Sequence, residues 1–141
     1  MPVKVAKQSP MNRIKKLFPV ALVLLCLCWA ACGGKKPQDE LAKTWQVNGI
    51  ETATKLPESV KNSMIANSTL TFTKDGKYTT TGGIGADQGT YTMDKDGKNL
   101  STTSTAGKSD EVYGIKKLDK DNLVLTNKGN TVTCIAISQN Q

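Results

Sequence analysis

The most reactive side chains in this chain are four cysteines, Cys26, Cys28, Cys32 and Cys134. A thiol becomes a nucleophile where a base or a nearby positive charge lowers its pKa. The chain has no histidine, so the commonest general base is missing. Cys134 sits in an apolar run, Thr131-Val132-Thr133-Cys134-Ile135-Ala136-Ile137-Ser138. That run reads as a strand, with the thiol as a small buried hydrophobe. Neither Gly-x-Ser-x-Gly nor Ser-x-x-Lys occurs, and the acidic groups fall almost entirely in turns. No catalytic residue, metal ligand or cofactor is expected.

Three short motifs invite a chemical reading and fail it on spacing. Thr105-Ala106-Gly107-Lys108-Ser109 ends like a phosphate-binding loop, but Thr102 stands where that loop needs its first glycine, and no helix pattern comes after it. It reads as a hairpin turn. Gly82-Gly83-Ile84-Gly85-Ala86-Asp87-Gln88-Gly89 misses dinucleotide-binding spacing and joins two strands, so it reads as a mobile loop. Asp94-Lys95-Asp96-Gly97 begins like a calcium loop, but its twelfth position is Thr105 instead of Glu. Its interleaved lysine would repel a cation, and turn chemistry explains it.

The formal charge of the 141-residue chain is +7, and the pI is about 9.3. Such a pI puts nucleic acid among the candidate partners. Five basic groups, Lys4, Lys7, Arg13, Lys15 and Lys16, lie in the first 31 residues, which carry no acidic group. Subtracting those five from +7 leaves +2. No basic stripe interleaves with aromatic residues in the remainder, so no nucleic-acid partner is expected. After the basic groups comes an apolar run of 15 residues, Leu17 to Ala31. That is short of the about 20 residues of a membrane span. Basic head, short apolar stretch and small residues together read as a removable secretory signal over residues 1–31.

The end of the apolar run is more specific. Trp29-Ala30-Ala31-Cys32-Gly33 resembles the lipobox of bacterial lipoproteins, with Trp29 where that box usually opens with Leu. The resemblance implies a diacylglycerol on the Cys32 thiol, cleavage just before Cys32 and acylation of the new amine, with palmitate as the expected chain. Membrane lipid is then a partner through Cys32. Residues 32–40 become a lipidated cysteine and a polar tether, whose eight residues Gly33 to Glu40 reach roughly 26 Å when extended. Some surface-exported lipoproteins of this group carry acidic residues directly after the cysteine. Here Gly33-Gly34-Lys35-Lys36 comes first, which implies an outer-membrane anchor facing the periplasm. Cys26 and Cys28 leave with the signal and Cys32 carries lipid, so Cys134 alone remains and no internal disulfide is available.

The domain to be positioned spans residues 41–139. Only 19 of residues 32–141 are Leu, Ile, Val or Phe, a thin supply for a core. Threonine, which favours strands, fills the gap. Turn signals recur about every ten residues: Lys74-Asp75-Gly76-Lys77, Asp94-Lys95-Asp96-Gly97-Lys98, Asp119-Lys120-Asp121 and Lys128-Gly129-Asn130. Asp-Gly between alternating segments predicts type I′ hairpins, which need positive φ at both central residues. Alternation puts Leu70 with Phe72, Tyr78 with Thr80, Tyr91 with Met93, and Leu123 with Leu125 on common faces. Leu41–Glu51 adds a first strand, for eight in all. Between the first two strands Leu56–Ile65 reads as a short helix, with Pro57 at its first position and Leu56, Val60 and Met64 on one side. The fold class is all-β, an eight-stranded up-and-down antiparallel barrel or flattened barrel. Closure removes the edges that threonine-rich strands would offer for aggregation.

The order Leu41-Ala42-Lys43-Thr44-Trp45, then Leu70-Thr71-Phe72-Thr73-Lys74-Asp75-Gly76, then Gly89-Thr90-Tyr91-Thr92-Met93, then Tyr113-Gly114-Ile115 resembles the lipocalin-like domain of small bacterial lipoproteins, common in Bacteroidetes. The usual Gly two positions before the Trp is replaced by Lys43. The resemblance implies a barrel with a hydrophobic interior. The helix between the first two strands is then either a lid over an open mouth or a plug at the barrel bottom. On face alternation the residues expected to line a ligand cavity are Trp45, Leu70, Phe72, Tyr78, Tyr91, Leu100 and Leu125. Two functions stay open. One is a non-enzymatic barrel binding a small, partly apolar ligand. The other is a solid barrel that docks an envelope protein through its outer face or loops.

Overall fold

The computed structural model describes residues 34–138. The signal segment, Cys32 and the last residue of the expected domain lie outside them. A short helix α1 (Pro37–Leu41) leads into β1 (Thr44–Glu51) and helix α2 (Glu58–Ile65). Seven more strands complete the chain: β2 (Thr69–Phe72), β3 (Lys77–Thr81), β4 (Asp87–Met93), β5 (Asn99–Ser104), β6 (Glu111–Leu118), β7 (Asn122–Asn127) and β8 (Asn130–Ala136). Each strand pairs antiparallel with the next, and β8 returns to β1, from Trp45↔Ala136 to Glu51↔Thr131. This is the expected up-and-down barrel, closed and without a free edge.

The interior is built by alternation, interrupted at two bulges. Trp45 and Val47 point inward on β1, but so does Ile50, because the register with β8 shifts between Val47 and Gly49. A second shift lies between Ile115 and Lys117 on β6. An extra residue bends the strand and re-aims the side chains beyond it. β2 pairs with only the first part of β1, Thr44 to Gln46, so the second half of β1 leans on β8 and leaves room for α2.

The hairpins correct the expected turn type. At Asp75-Gly76 and Asp96-Gly97 only the glycine has positive φ, +82° and +66°. The carboxylates explain the longer turns: Asp94 accepts the backbone N–H of Lys98 at 2.7 Å and of Asn99 at 3.1 Å. The two-residue turn with both φ positive is Lys128-Gly129, at +50° and +81°, between paired Asn127 and Asn130. Those are the signs of a type I′ turn.

The segment read as a tether is helical from Pro37 to Leu41. Leu41 is fully buried, and its carbonyl accepts the Trp45 indole N–H at 3.0 Å. α1 thus lies across one end of the barrel. The β4–β5 turn packs against it so closely that a Cβ at Gly97 would stand 2.8 Å from the Pro37 Cβ. Lys43 spans the same end, with its Nζ 4.9 Å from the Trp45 ring centre and donating to the Lys120 carbonyl at 3.0 Å.

α2 starts at Glu58, with Pro57 as its cap residue and not its first turn. Its inward side is Lys61, Met64 and Ile65, at i, i+3, i+4 spacing, while Val60 is 42% exposed. The expected Leu56–Val60–Met64 face is therefore rotated. Removing the Trp45 side chain should be costly: Trp45→Ala is expected to lose about 3–5 kcal/mol, read from the urea midpoint. Val112→Ala, on the outer face, should stay within about 0.5 kcal/mol. A Trp45→Ala midpoint close to the parent's would contradict this packing.

Candidate functional site

The strand ends opposite α1 surround an opening. Behind it lies a cavity of about 520 Å³. Leu70, Phe72, Leu100, Leu125 and Val132 make its apolar wall, with Ile50 and Met64 above them. Met64 comes from α2 and Ile84 from the Gly82–Ile84 turn, so this pair of elements sits over the mouth. The bottom-plug reading of α2 is thereby corrected: α1 closes the bottom.

The Gly82–Gly89 segment is a short 3₁₀ turn leading to β4 at Asp87, where a mobile loop was expected. The Gly83 N–H donates to the Ala66 carbonyl at 3.2 Å and the Ile84 N–H to Ser68 Oγ at 3.0 Å. A Cβ at Gly83 would stand 1.8 Å from the Ser63 carbonyl oxygen. Only glycine lets the turn lie against the end of α2.

Five of the seven expected lining residues are on the cavity wall: Leu70, Phe72, Tyr78, Leu100 and Leu125. Trp45 and Tyr91 are not. They face inward as alternation requires, but deeper, where they fill the closed end. Trp45 lies beneath α1. Tyr91 meets Phe72 edge-on, with ring centres 5.2 Å apart, and donates its hydroxyl to the Thr73 carbonyl at 2.6 Å. Alternation selects a face and says nothing of depth. Sequence patterning missed Tyr113 and Val132, which share the inward face of their strands, and Ile50, whose parity the bulge inverts.

Polar groups gather near the mouth in two sets. Tyr78 donates its hydroxyl to Asp87 Oδ2 at 2.7 Å, and Ser104 donates to Asp87 Oδ1 at 2.7 Å. Burial first, and then the Asp87 carboxylate, push the Tyr78 phenol up to about 12. Burial acts to raise Asp87 as well, but the Ser104 and Tyr78 hydroxyls outweigh it and hold the carboxyl below its ordinary value. On the other side Asn127 Nδ2 and Lys128 Nζ donate to Glu111 at 2.8 and 3.0 Å and lower its pKa. Tyr113 also lines the cavity, its pKa raised by burial. Among the described residues its hydroxyl has no hydrogen-bond partner. No cluster among the described residues has the ligands to hold a metal ion. Cys134 is buried and its thiol is pushed up to about 12 by that burial.

A family model described as the lipocalin-like domain matches residues 41–125. The chain belongs to the lipocalin-like domain family. Solved structures agree on the fold. A lipocalin-like protein from Bacteroides uniformis superposes with a TM-score of 0.50 at 15% identity, over 70% of this chain and 99% of its own. An uncharacterized protein from Bacteroides eggerthii gives 0.53 at 12% identity, over 69% and 99%. No curated protein sequence matches. For this lipocalin-like domain, the family and the geometry together define a cup: shut by α1, walled by apolar side chains, rimmed by polar ones.

The rim groups give the domain two pH responses. Carboxyls held below their ordinary values contribute stability that is complete above about pH 4 and is lost as pH falls through the folded values. Asp87→Asn should therefore flatten the acid limb of an unfolding curve, and an unchanged limb would contradict the Asp87 network. Phenols held above their ordinary value stay protonated in the fold. Stability is then full below about pH 10 and falls as pH rises towards 12. Tyrosinate absorbance at pH 10 should be lower in the folded lipocalin-like domain than in urea, where it should be near half-maximal. Equal signals would be against it.

Proposed function

We propose that this protein is a lipid-anchored, non-enzymatic binding protein of the bacterial envelope. Its barrel holds one small, partly apolar ligand. Cys32 carries the acyl chains, and the domain faces the periplasm from the outer membrane. The observation that carries this reading is the cavity of about 520 Å³, open at one end, with an aliphatic and aromatic wall below and polar and charged side chains around its mouth. Small-molecule sites fall at about 300–1,000 Å³ and combine an apolar wall with polar groups that orient the ligand. The polar rim suits a ligand with an apolar body and a polar end. The buried, protonated thiol of Cys134 and the absence of histidine from the sequence support a non-enzymatic role.

The alternative, a barrel docking a protein through its outer face, calls for a contiguous exposed apolar patch. The large exposed apolar side chains among the described residues are Val60, Val112, Ile135 and Ile137. Val112 is at the mouth end of β6 and Val60 on α2, while Ile135 and Ile137 lie two residues apart on the outward side at the closed end. One such pair with two isolated valines is less than a contiguous patch and favours the ligand reading.

Fluorescence titration with 1-anilinonaphthalene-8-sulfonate tests it. The protein should bind a single equivalent. Leu125→Trp, which fills the cavity from its wall, should weaken binding by about tenfold or more, about 1.4 kcal/mol. Binding that is unchanged in Leu125→Trp would place the dye elsewhere and count against the cavity.

A further inference from the structure

We propose that the closed end of the barrel is a docking face for anionic lipid headgroups, so that the mouth opens away from the membrane. This rests on the reading that Cys32 is lipidated, and adds an orientation to it.

The first argument is where the chain enters the barrel. Cys32 precedes Pro37 by five residues, a reach of at most roughly 18 Å. Pro37 opens α1, and α1 is fastened to the closed end. Leu41 accepts the Trp45 indole N–H, and Pro37 packs on the β4–β5 turn at Gly97. An anchor at Cys32 therefore holds the closed end near the headgroups. The mouth lies at the other end of the strands.

The second argument is how the turns at that end distribute charge. The β2–β3, β4–β5 and β6–β7 turns each contain both Lys and Asp; Asp75, Asp94 and Asp119 are tied up by hydrogen bonds or ion pairs within their own turns, while Asp96 and Asp121 are exposed. Asp75 is bonded by the Thr73 hydroxyl and paired with Lys77 at 3.3 Å. Asp94 accepts two backbone N–H groups and the Asn99 amide. Asp119 accepts the N–H groups of Asp121 and Asn122 and pairs with Lys117 at 3.4 Å. These bonds hold Asp119 down at about 2. The lysines beside them are directed outward. Lys74, Lys95, Lys98 and Lys120 are exposed and make no ion pair among the described residues. Lys35 and Lys36, on the entering segment, are exposed too. The mouth has no such excess of lysine: Glu51, Asp87, Asp110 and Glu111 stand there with Lys55, Lys108, which donates to the Ala86 carbonyl, and Lys128, which is engaged by Glu111.

Cations within a Debye length of about 10 Å of an anionic leaflet are attracted to it, and the effect adds up over a cluster. A short anchor that brings these turns to the surface places them within that distance. The consequence for binding is directional. The ligand enters from the aqueous compartment and is not drawn straight from the bilayer beneath.

The test uses the full lipidated protein reconstituted in vesicles of phosphatidylethanolamine and phosphatidylglycerol that carry a spin-labelled headgroup lipid. A fluorophore is attached at Asp96→Cys, in the β4–β5 turn, or at Asp110→Cys, beside the mouth. Buried Cys134 stays unlabelled. The Asp96→Cys probe should lose most of its emission and the Asp110→Cys probe should keep it. Combining Lys74→Gln, Lys95→Gln and Lys120→Gln, or replacing the anionic lipid by phosphatidylcholine, should reduce the quenching at Asp96→Cys. Equal quenching of both probes overturns the orientation. Quenching at Asp96→Cys that ignores both changes overturns the lysine docking. Protein that fails to float with the vesicles overturns the anchoring itself, and this proposal with it.

Discussion

The Trp45 indole donates its N–H to the Leu41 carbonyl, and the rest of the barrel is arranged around that bond. It fixes α1 across one end, buries Leu41 and Trp45 completely, and sets the base on which Phe72 and Tyr91 pack. A small barrel with few large aliphatic residues cannot fill its whole length. Here the bulk is concentrated at one end, and the unfilled volume is left at the other. The cavity is the complement of a well-packed floor. Because α1 is joined directly to the segment that carries Cys32, the same bond would couple the closure of the barrel to the proposed anchor.

The thin core is compensated by the sheet. On the outer face threonines meet across strands, Thr44 with Thr71 at 3.1 Å and Thr69 with Thr81 at 2.8 Å. Such cross-strand pairs stabilise a sheet by about 0.2–1 kcal/mol each. Closure pairs every strand on both sides. The mouth is held differently. Gly83 lies against the end of α2 with no room for a side chain, and the chain beyond it carries Asp87 to the Tyr78 and Ser104 hydroxyls. The rim is thus organised by hydrogen bonds, and the floor by packing.

Much of this was legible in the sequence. The strand count, the antiparallel hairpin order and the inward faces of β2, β3, β4, β5 and β7 come from alternation and turn residues, which left a barrel or a flattened form open. Three things did not. Ile50 changes parity at a bulge, and a period of two cannot register an inserted residue. Pro37–Leu41 is too polar and short to read as a helix, since its stability comes from the distant Trp45 and Gly97. Depth is absent from any pattern of faces, so Trp45 and Tyr91 were grouped with Leu70 and Leu100 although they lie below the cavity. Asp75-Gly76 and Asp96-Gly97 signalled hairpins correctly, while the type I′ geometry formed at Lys128-Gly129.

The central claim is that the volume above this floor holds a ligand. Native mass spectrometry of the protein, extracted gently from its own host, tests it most directly. The account predicts a stoichiometric small-molecule adduct on the parent protein that is missing from Leu125→Trp. A parent protein that flies at its ligand-free mass, with the folded charge-state distribution intact, would contradict it.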